Sequence, residues 1–332
     1  TGAISGGRAA VAFSDLADLT LGAAVGAVES EFEKAHGRIA DGRFALVALG
    51  KLGSHEMSAA SDVDMILLYD HAPDCDDSDG PKPLDPVRYY TRFTQRLVAA
   101  LSAPTAEGVL YEVDLRLRPS GNKGPVATTI GAFRKYHASS AWTWEHMALT
   151  RARIIAGDAS LKSEAEAIIA EVLGQTRDIA ATARDVAEMR QRIEEEKPPA
   201  NSWDLRLTPG GLFDIEFIAQ FLRLHAVRLD TEVPQPGTRT KSVLQALAPS
   251  MIGEDAAGQL VEALDLYTQI SQITRLCLER KFDPEESPQG FRELLLSGVD
   301  FPDMATLEAS LDDMSAVVRG IFDRTIVRGQ VL

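Results

Sequence analysis

The chain has 332 residues, of which 45% are hydrophobic and 25% charged, an ordinary composition for a globular protein. Its formal net charge is −15, and such an acidic surface repels nucleic acid, so DNA and RNA polymers are not expected as partners. The two cysteines, Cys75 and Cys277, are too few and too distant for a disulfide framework or a CxxC zinc site, which favours a reducing, cytoplasmic setting. We expect no stretch long enough to span a membrane. Because the chain starts at Thr1 rather than Met, we also expect it to be a piece of a longer polypeptide.

The first part of the chain mixes helical and strand patterns. Apolar residues recur with helical period from Ser14 to His36 and again from Val87 to Leu101. Short apolar runs predict strands at 43–49 and 63–69, and alternation predicts a third strand from Val109 to Leu117. A domain that combines strands with helices is therefore expected here.

Beyond the third strand the patterns predict helices alone. They lie near 129–138, 141–156, 159–174, 178–197, 212–229, 241–248, 256–281, 289–297 and 303–328. The composition changes near Gly157-Asp158, which predicts an α+β domain over 1–156 and an all-helical domain over 157–332.

Two aspartates at the start of the second strand carry the clearest chemical signal. Asp62 and Asp64 project to the same side, roughly 6–7 Å apart at Cα. Carboxylates this close repel each other, and hard oxygen ligands at this spacing suit Mg²⁺. A Gly-rich turn, Gly50-Lys51-Leu52-Gly53, lies just upstream, and its backbone N–H groups could face a triphosphate. The combination predicts nucleotidyl transfer.

The third predicted strand could complete this site. Val113, Leu115 and Leu117 alternate with charged residues, so one face of the strand carries Asp114, Arg116 and Arg118. Asp114 could be a third metal ligand, and the arginines could bind phosphate oxygens in a bidentate manner. A solvated outer face is an equally good explanation of the alternation, and it stays open from this strand alone.

Three charged residues further along have open roles. Arg151 and Arg153 fall on the predicted helix 141–156, where they could reach a ligand or form ion pairs on the surface. Asp214 lies in the first turn of the apolar helix that follows Gly210-Gly211, where a carboxylate complements the helix dipole.

Four segments together resemble the glutamine-synthetase adenylyltransferase family. They are GKLGSHEMSAASDVDMILLY, YEVDLRLRPSGNKGPVATTIGAFRKYH, SAWTWEHMALTRARIIAGD and GGLFDIEFIAQFL. The resemblance is good over about residues 45–225 and is limited to helical character beyond 230. It implies a polymerase-beta-like nucleotidyltransferase fold, an α+β domain with a small mixed sheet and helices, followed by helical bundles. The wording of the motifs is closer to the C-terminal, adenylylating copy of this fold.

The resemblance also implies roles for individual residues. Asp62 and Asp64 would hold two Mg²⁺ ions, and Asp114 would complete one site and accept the proton of an attacking tyrosine hydroxyl. ATP would donate AMP to a tyrosine of glutamine synthetase, and the family responds to glutamine and the PII signal protein. The residues implied in nucleotide binding are Gly50, Lys51, Gly53, Ser54, Ser61, Arg116 and Arg118. The chain departs from the family at Ser54-His55, where small or basic residues, commonly Gly, are expected.

Two other functions remain open at this point. The same fold could work in the opposite direction and remove AMP from glutamine synthetase by phosphorolysis. Alternatively, the chain could be a regulatory module that binds nucleotide or PII without turnover, although the intact set of three aspartates argues against this.

Overall fold

The structure, a computed structural model, describes residues 4–229 and 232–331. These residues form two compact units. The sheet unit comprises Ser14–His55 and Ser61–Leu173, and the helical unit comprises the described residues of Thr1–Phe13, Glu56–Ala60 and Gly174–Leu332. The contacts thus divide the chain after Leu173, while the sequence places the boundary after Ala156; the latter, as a division into functional domains, stays a prediction.

The elements up to Leu173 alternate between helix and strand. They are α1 (Gly6–His36), β1 (Arg43–Ala48), α2 (Gly50–Gly53), β2 (Val63–Asp70), α3 (Pro86–Ser102), β3 (Val113–Asp114), β4 (Ala127–Thr129), α4 (Ile130–Ser139), α5 (Thr143–Leu149), β5 (Arg153–Gly157) and α6 (Ala159–Leu173). The five strands form a mixed sheet in the order β3-β2-β1-β5, and β4 also pairs with β2. β1 is antiparallel to β2 and β5, while β3 and β4 are parallel to β2.

Aromatic side chains fill one face of this sheet. Tyr69 of β2 stacks on Tyr90 of α3 with ring centroids 4.3 Å apart, and Phe44 of β1 meets Phe93 of α3 at 5.1 Å. Asp85 caps the N-terminus of α3, because its carboxylate accepts a hydrogen bond from the backbone N–H of Arg88. Such aromatic pairs add about 0.5–1.5 kcal/mol each beyond the area they bury, so they anchor α3 firmly to the sheet.

Helix α1 contradicts one expectation from the sequence. Among the described residues it is the one helix long and apolar enough, by length and composition, to cross a membrane, and 28% of its most apolar window is buried. In the sheet unit its buried side chains recur every three or four residues, at Ala17, Leu21, Val25 and Val28. This spacing is typical of a helix that lies against a protein core.

Helices form the rest of the chain. They are α7 (Ile179–Glu196), α8 (Leu212–His225), α9 (Thr240–Ile252), α10 (Glu254–Cys277), α11 (Gln289–Val299) and α12 (Met304–Phe322). The predicted helix 212–229 continues after α8 as a 3₁₀ turn, and α12 continues as a π-helical turn. The predicted class, an α+β domain with a small mixed sheet followed by helices, is confirmed.

The sheet differs from the predicted elements in three places. The third strand, predicted over Val109–Leu117, pairs only at Val113 and Asp114, and Val109 and Leu110 are exposed. The predicted helix 141–156 ends at Leu149, and the chain then forms β5 beside β1. β4, on the other side of the sheet, was also not predicted.

Two buried histidines make stability depend on pH. His137 in the sheet unit and His225 in the helical unit are almost fully buried, and no ring nitrogen of either has a hydrogen-bond partner among the described residues. Burial, reinforced by nearby positive groups, lowers the pKa of His137 to about 3 and that of His225 to about 4. Both side chains therefore stay neutral in the folded chain at pH 5–7.

The free energy of unfolding is expected to fall as pH drops below 6.5. The unfolded histidines take up protons from their ordinary pKa of 6.5 downwards, whereas the folded ones do not until about 3 and 4. Each histidine then costs up to about 1.4 kcal/mol per pH unit. Urea unfolding at pH 7.0 and 5.5 measures the slope, and His137→Leu should reduce it. A slope that His137→Leu leaves as in the wild type would contradict this explanation.

Candidate active site

Three carboxylates meet where β2 and β3 lie side by side. Asp64 and Asp114 are direct partners in the parallel register of these strands, and Asp62 lies just before β2. One oxygen from each of the three lies within 4.8 Å of the others. Asp62 is exposed, while Asp64 and Asp114 are half-buried. The structure thus brings together the three aspartates selected from the sequence.

Arg116 holds one of these carboxylates. Its Nε lies 2.8 Å from Oδ2 of Asp114, its Nη2 contacts the same oxygen, and its backbone N–H donates to Oδ1 at 2.7 Å. Partial burial of Asp114 opposes ionisation, but the hydrogen bonds and charge of Arg116, with the charge of Arg118, outweigh it and hold the pKa of Asp114 below its ordinary value. Asp114 is therefore ionised at neutral pH.

The turn before the aspartates is a short helix, α2, whose first residue lies against Asp64. Gly50 has φ of +54°, and a Cβ built on it would lie 2.2 Å from Oδ2 of Asp64. The backbone N–H of Leu49 donates to the carbonyl of Asp64 at 2.9 Å. Both the positive φ and the close approach require glycine at position 50.

Gly50→Ala is expected to disable the site while the chain still folds. The left-handed backbone costs about 1–2 kcal/mol for alanine, and the methyl group must displace the Asp64 carboxylate. We expect metal affinity at the aspartates, measured by Mn²⁺ titration, to fall by about 10- to 100-fold. Gly26→Ala is the matched control because a Cβ at Gly26 in α1 meets nothing within 4 Å. Unchanged Mn²⁺ affinity in folded Gly50→Ala would show that Asp64 does not depend on this contact.

Ser54 follows α2 and is fully buried. Its hydroxyl donates to the carbonyl of Gly50 at 3.1 Å and accepts hydrogen bonds from Nε and Nη2 of Arg151 at 3.0 and 2.9 Å. The predicted contact of Ser54 with a nucleotide stays a prediction, whereas its contacts in the structure are with the protein. Arg151 lies not on a helix, as predicted, but in the turn before β5.

The other end of α2 is held by backbone contacts with the same segment. A Cβ at Gly53 would lie 1.9 Å from the carbonyl oxygen of Arg151, so only glycine fits there. Arg153 donates to the carbonyls of Leu52 and Gly53 at 3.0 and 3.2 Å, and it pairs with both oxygens of Asp18. The ion-pair alternative for Arg153 is therefore observed.

The remaining predicted nucleotide ligands have different settings. Lys51 is half-buried on α2, and Ser61 is buried immediately before Asp62. Arg118 is also buried, and its guanidinium donates to the carbonyls of Leu115 and Pro125 at 2.8 and 3.0 Å. Arg118 thus supports the loop that follows β3, and its contact with phosphate stays a prediction.

Sequence reasoning missed a network around Glu145. This buried carboxylate accepts hydrogen bonds from the hydroxyl of Tyr136 at 2.9 Å and from the backbone N–H of Trp142 at 2.8 Å. Ser120, in the loop after β3, also hydrogen-bonds to the Tyr136 oxygen. The Glu145 carboxylate thus caps the backbone N–H of Trp142 at the start of α5, but tryptophan lacks the side-chain oxygen of a capping box, so the sequence carried no local signal for this contact.

A second group of potential metal ligands lies at Asp15, Asp18 and His55, with ligand atoms within 4.8 Å of one another. Asp18 is already paired with Arg153 at 2.7 and 3.0 Å. Because the guanidinium supplies the positive charge that this carboxylate attracts, we assign no metal to this group.

A family model described as glutamate-ammonia ligase adenylyltransferase matches residues 3–168, half of the chain. The chain belongs to this family. A second model, described as GlnD PII-uridylyltransferase, matches residues 181–283, within the helical part.

Two curated relatives illustrate the similarity. The chain is 56% identical over 326 residues to a bifunctional glutamine synthetase adenylyltransferase/adenylyl-removing enzyme of Rhizobium meliloti. It is 55% identical over 329 residues to the enzyme of the same name from Agrobacterium fabrum. These matches cover 98% and 99% of this chain but only 33% of each relative, so the chain spans about a third of their length.

Proposed function

We propose that this chain transfers AMP from ATP to a tyrosine of glutamine synthetase and releases pyrophosphate. The observation that carries the proposal is the meeting of Asp62, Asp64 and Asp114 within 4.8 Å in a member of the glutamate-ammonia ligase adenylyltransferase family. Membership of the family supplies the reaction class, and the three carboxylates supply a site suited to it.

The three aspartates fit Mg²⁺. They offer hard carboxylate oxygens, the ligand type that Mg²⁺ prefers, and the proposal is that they hold two ions together with the phosphates of ATP. When bound, the metal would supply Lewis-acid stabilisation of charge on the reacting phosphate. Asp62 is exposed and so is accessible to a metal–nucleotide complex.

Asp114 and Arg116 would act as a pair. A carboxylate kept ionised by Arg116 is a good cation ligand but a weak base, since its pKa is low. We propose that Arg116, whose side chain is 69% exposed, moves from Asp114 to the phosphates of ATP. Asp114 would then present an oxygen to the metal and an oxygen to the proton of the tyrosine hydroxyl.

The turn residues would receive the nucleotide. Gly50 brings backbone against Asp64 without a side chain, and Lys51 provides a cation on the same turn. We propose that Gly50, Lys51, Gly53 and Ser61 line the phosphate path, while Ser54 and Arg118 act mainly through the protein contacts described above.

The partners follow from the family. Glutamine synthetase would be the protein substrate, with glutamine and the PII protein as regulators, and the match of 181–283 to a PII-uridylyltransferase model supports a regulatory role for the helical unit. The net charge of −15 disfavours nucleic acid. A cytoplasmic location and the absence of a membrane partner belong to the same proposal.

The reverse reaction is the second candidate, because the relatives are named as bifunctional adenylyltransferase/adenylyl-removing enzymes. In that case the chain would use phosphate to release ADP from adenylylated glutamine synthetase.

Two parallel reactions distinguish the two directions. In one, the chain is incubated with unmodified glutamine synthetase, ATP and Mg²⁺, and pyrophosphate is measured. In the other, it receives adenylylated glutamine synthetase, phosphate and Mg²⁺, and ADP is measured. The proposal predicts pyrophosphate in the first reaction at a rate well above ADP in the second. ADP release alone would assign the chain to AMP removal, and neither product would contradict both.

A further inference from the structure

We propose that Arg151 is a positioning residue for the aspartate site, acting through the Ser54 hydroxyl to hold α2 against Asp64. The inference rests on the proposed function, since it takes Asp62, Asp64 and Asp114 as the metal ligands. It adds a residue that lies 97 positions from Ser54 in the sequence.

The first link joins Arg151 to the start of α2. Two guanidinium nitrogens, Nε and Nη2, donate to the single oxygen of Ser54 at 3.0 and 2.9 Å. Both side chains are buried, with Arg151 7% exposed and Ser54 inaccessible. The Ser54 hydroxyl in turn donates to the carbonyl of Gly50 at 3.1 Å. The Arg151 guanidinium therefore fixes the orientation of the Ser54 hydroxyl, and this hydroxyl holds the carbonyl of Gly50 in place.

The second link joins Gly50 to the aspartates. The space that a Cβ of Gly50 would fill is occupied by Oδ2 of Asp64, at 2.2 Å from the Cβ position. Any shift of the Gly50 backbone towards β2 must therefore displace the Asp64 carboxylate. A hydrogen bond of 2.9 Å between the Leu49 N–H and the Asp64 carbonyl ties the same two segments together.

The third link is at the far end of α2. The carbonyl oxygen of Arg151 packs against Gly53, where a Cβ would lie only 1.9 Å from it. The Arg153 guanidinium donates hydrogen bonds to the carbonyls of Leu52 and Gly53. Arginine side chains are favourable at these carbonyls, where the negative end of the helix dipole lies. The segment 151–153 thus contacts α2 directly at its C-terminal end, and it reaches Gly50 at the other end through the Ser54 hydroxyl.

Direct binding of a nucleotide by Arg151 fits the structure less well. Its side chain is buried, and two of its donors are directed at Ser54. A positioning role predicts that a conservative change alters metal binding, because residues that orient metal ligands typically contribute 10–100-fold to affinity.

The test compares Arg151→Lys, Ser54→Ala and the double variant in the 332-residue chain. Mn²⁺ binding is followed by electron paramagnetic resonance, and thermal unfolding reports the fold. Lysine keeps the charge of Arg151 but not its two-nitrogen contact. Arg43→Gln is the control, because it removes a partly exposed arginine that pairs with Asp70 at the opposite end of β1 and β2.

Both single variants are expected to weaken Mn²⁺ binding by about 10- to 100-fold. The double variant should be no weaker than the worse single variant, since both break one path, and Arg43→Gln should bind as the wild type does. Hydrogen exchange of a peptide covering 49–55 should rise in the variants. If Arg151→Lys does not fold, the Mn²⁺ affinity of Ser54→Ala, which retains the buried Arg151 side chain, tests the positioning role.

Wild-type Mn²⁺ affinity in folded Ser54→Ala or Arg151→Lys overturns the positioning role while leaving the proposed function intact. Fully additive losses in the double variant overturn the path through Ser54. If Asp62→Asn binds Mn²⁺ with the same affinity as the wild type, the proposed metal site is wrong, and the inference fails with it.

Discussion

Asp62→Asn or Asp114→Asn is expected to lower the rate of AMP transfer by about a thousandfold or more, because several kcal/mol of charge stabilisation depend on the metal these carboxylates hold. Asparagine keeps the size of aspartate but loses the negative charge. Pyrophosphate release in the presence of glutamine synthetase, ATP and Mg²⁺ measures the rate.

Stability should not account for this loss. Removing one of three carboxylates that lie within 4.8 Å of one another relieves repulsion, so the melting temperature of Asp62→Asn should equal or exceed that of the wild type. Asp74→Asn, in the exposed loop after β2, is the matched control and should keep the wild-type rate. A wild-type rate in Asp62→Asn or Asp114→Asn would rule out the triad as the catalytic site.

Asp214→Ala is expected to destabilise the helical unit by about 3–5 kcal/mol, since it removes the buried partner of Arg190 and leaves only the half-buried Glu194, 3.2 Å away, to balance its charge. Asp214 is inaccessible, and Arg190 of α7 is 1% exposed. The Asp214 carboxylate also accepts hydrogen bonds from the backbone N–H of Gly210 at 2.7 Å and from Arg319 of α12 at 3.2 Å. One side chain of α8 therefore holds α7, α12 and its own preceding turn.

Urea unfolding measures this effect, and two further variants sharpen it. Asp265→Ala breaks the exposed pair of Asp265 with Lys241 and should cost less than about 1 kcal/mol. Replacing both charges, as in Asp214→Leu with Arg190→Met, should recover much of the loss, because no unpaired charge remains buried. A cost for Asp214→Ala no larger than that of Asp265→Ala would contradict the role of Asp214 at the centre of this network.

The sequence was informative where a pattern is local. The two long strands and most helix ends were predicted within one or two residues, because hydrophobic period and capping residues lie within the segment they describe. Alternation at Val109–Leu117 was misleading, since the chain pairs with β2 at only two residues and then turns, with Arg118 N–H bonded to the carbonyl of Leu115. β5 was read as helix although Ile154 and Ile155 before Gly157 are typical of a strand.

In the candidate site, too, local patterns were predicted and contacts between distant residues were not. The spacing of Asp62 and Asp64 predicted their shared direction, and the predicted charged face of the third strand included Asp114. The contacts of Arg151 with Ser54 and of Asp214 with Arg190 join residues far apart in the chain. Because no local pattern encodes such pairs, Asp214 was interpreted only through its own helix, and Ser54 only as a ligand of the nucleotide.

Peptide mass spectrometry of glutamine synthetase tests the central claim most directly. The substrate is incubated with the chain and ATP, with and without Mg²⁺, and then digested. We expect the mass of one AMP on a single tyrosine peptide with the wild-type chain and Mg²⁺, and no modification without Mg²⁺ or with Asp62→Asn. Glutamine synthetase that stays unmodified with the wild-type chain, or is modified equally by Asp62→Asn, would contradict it.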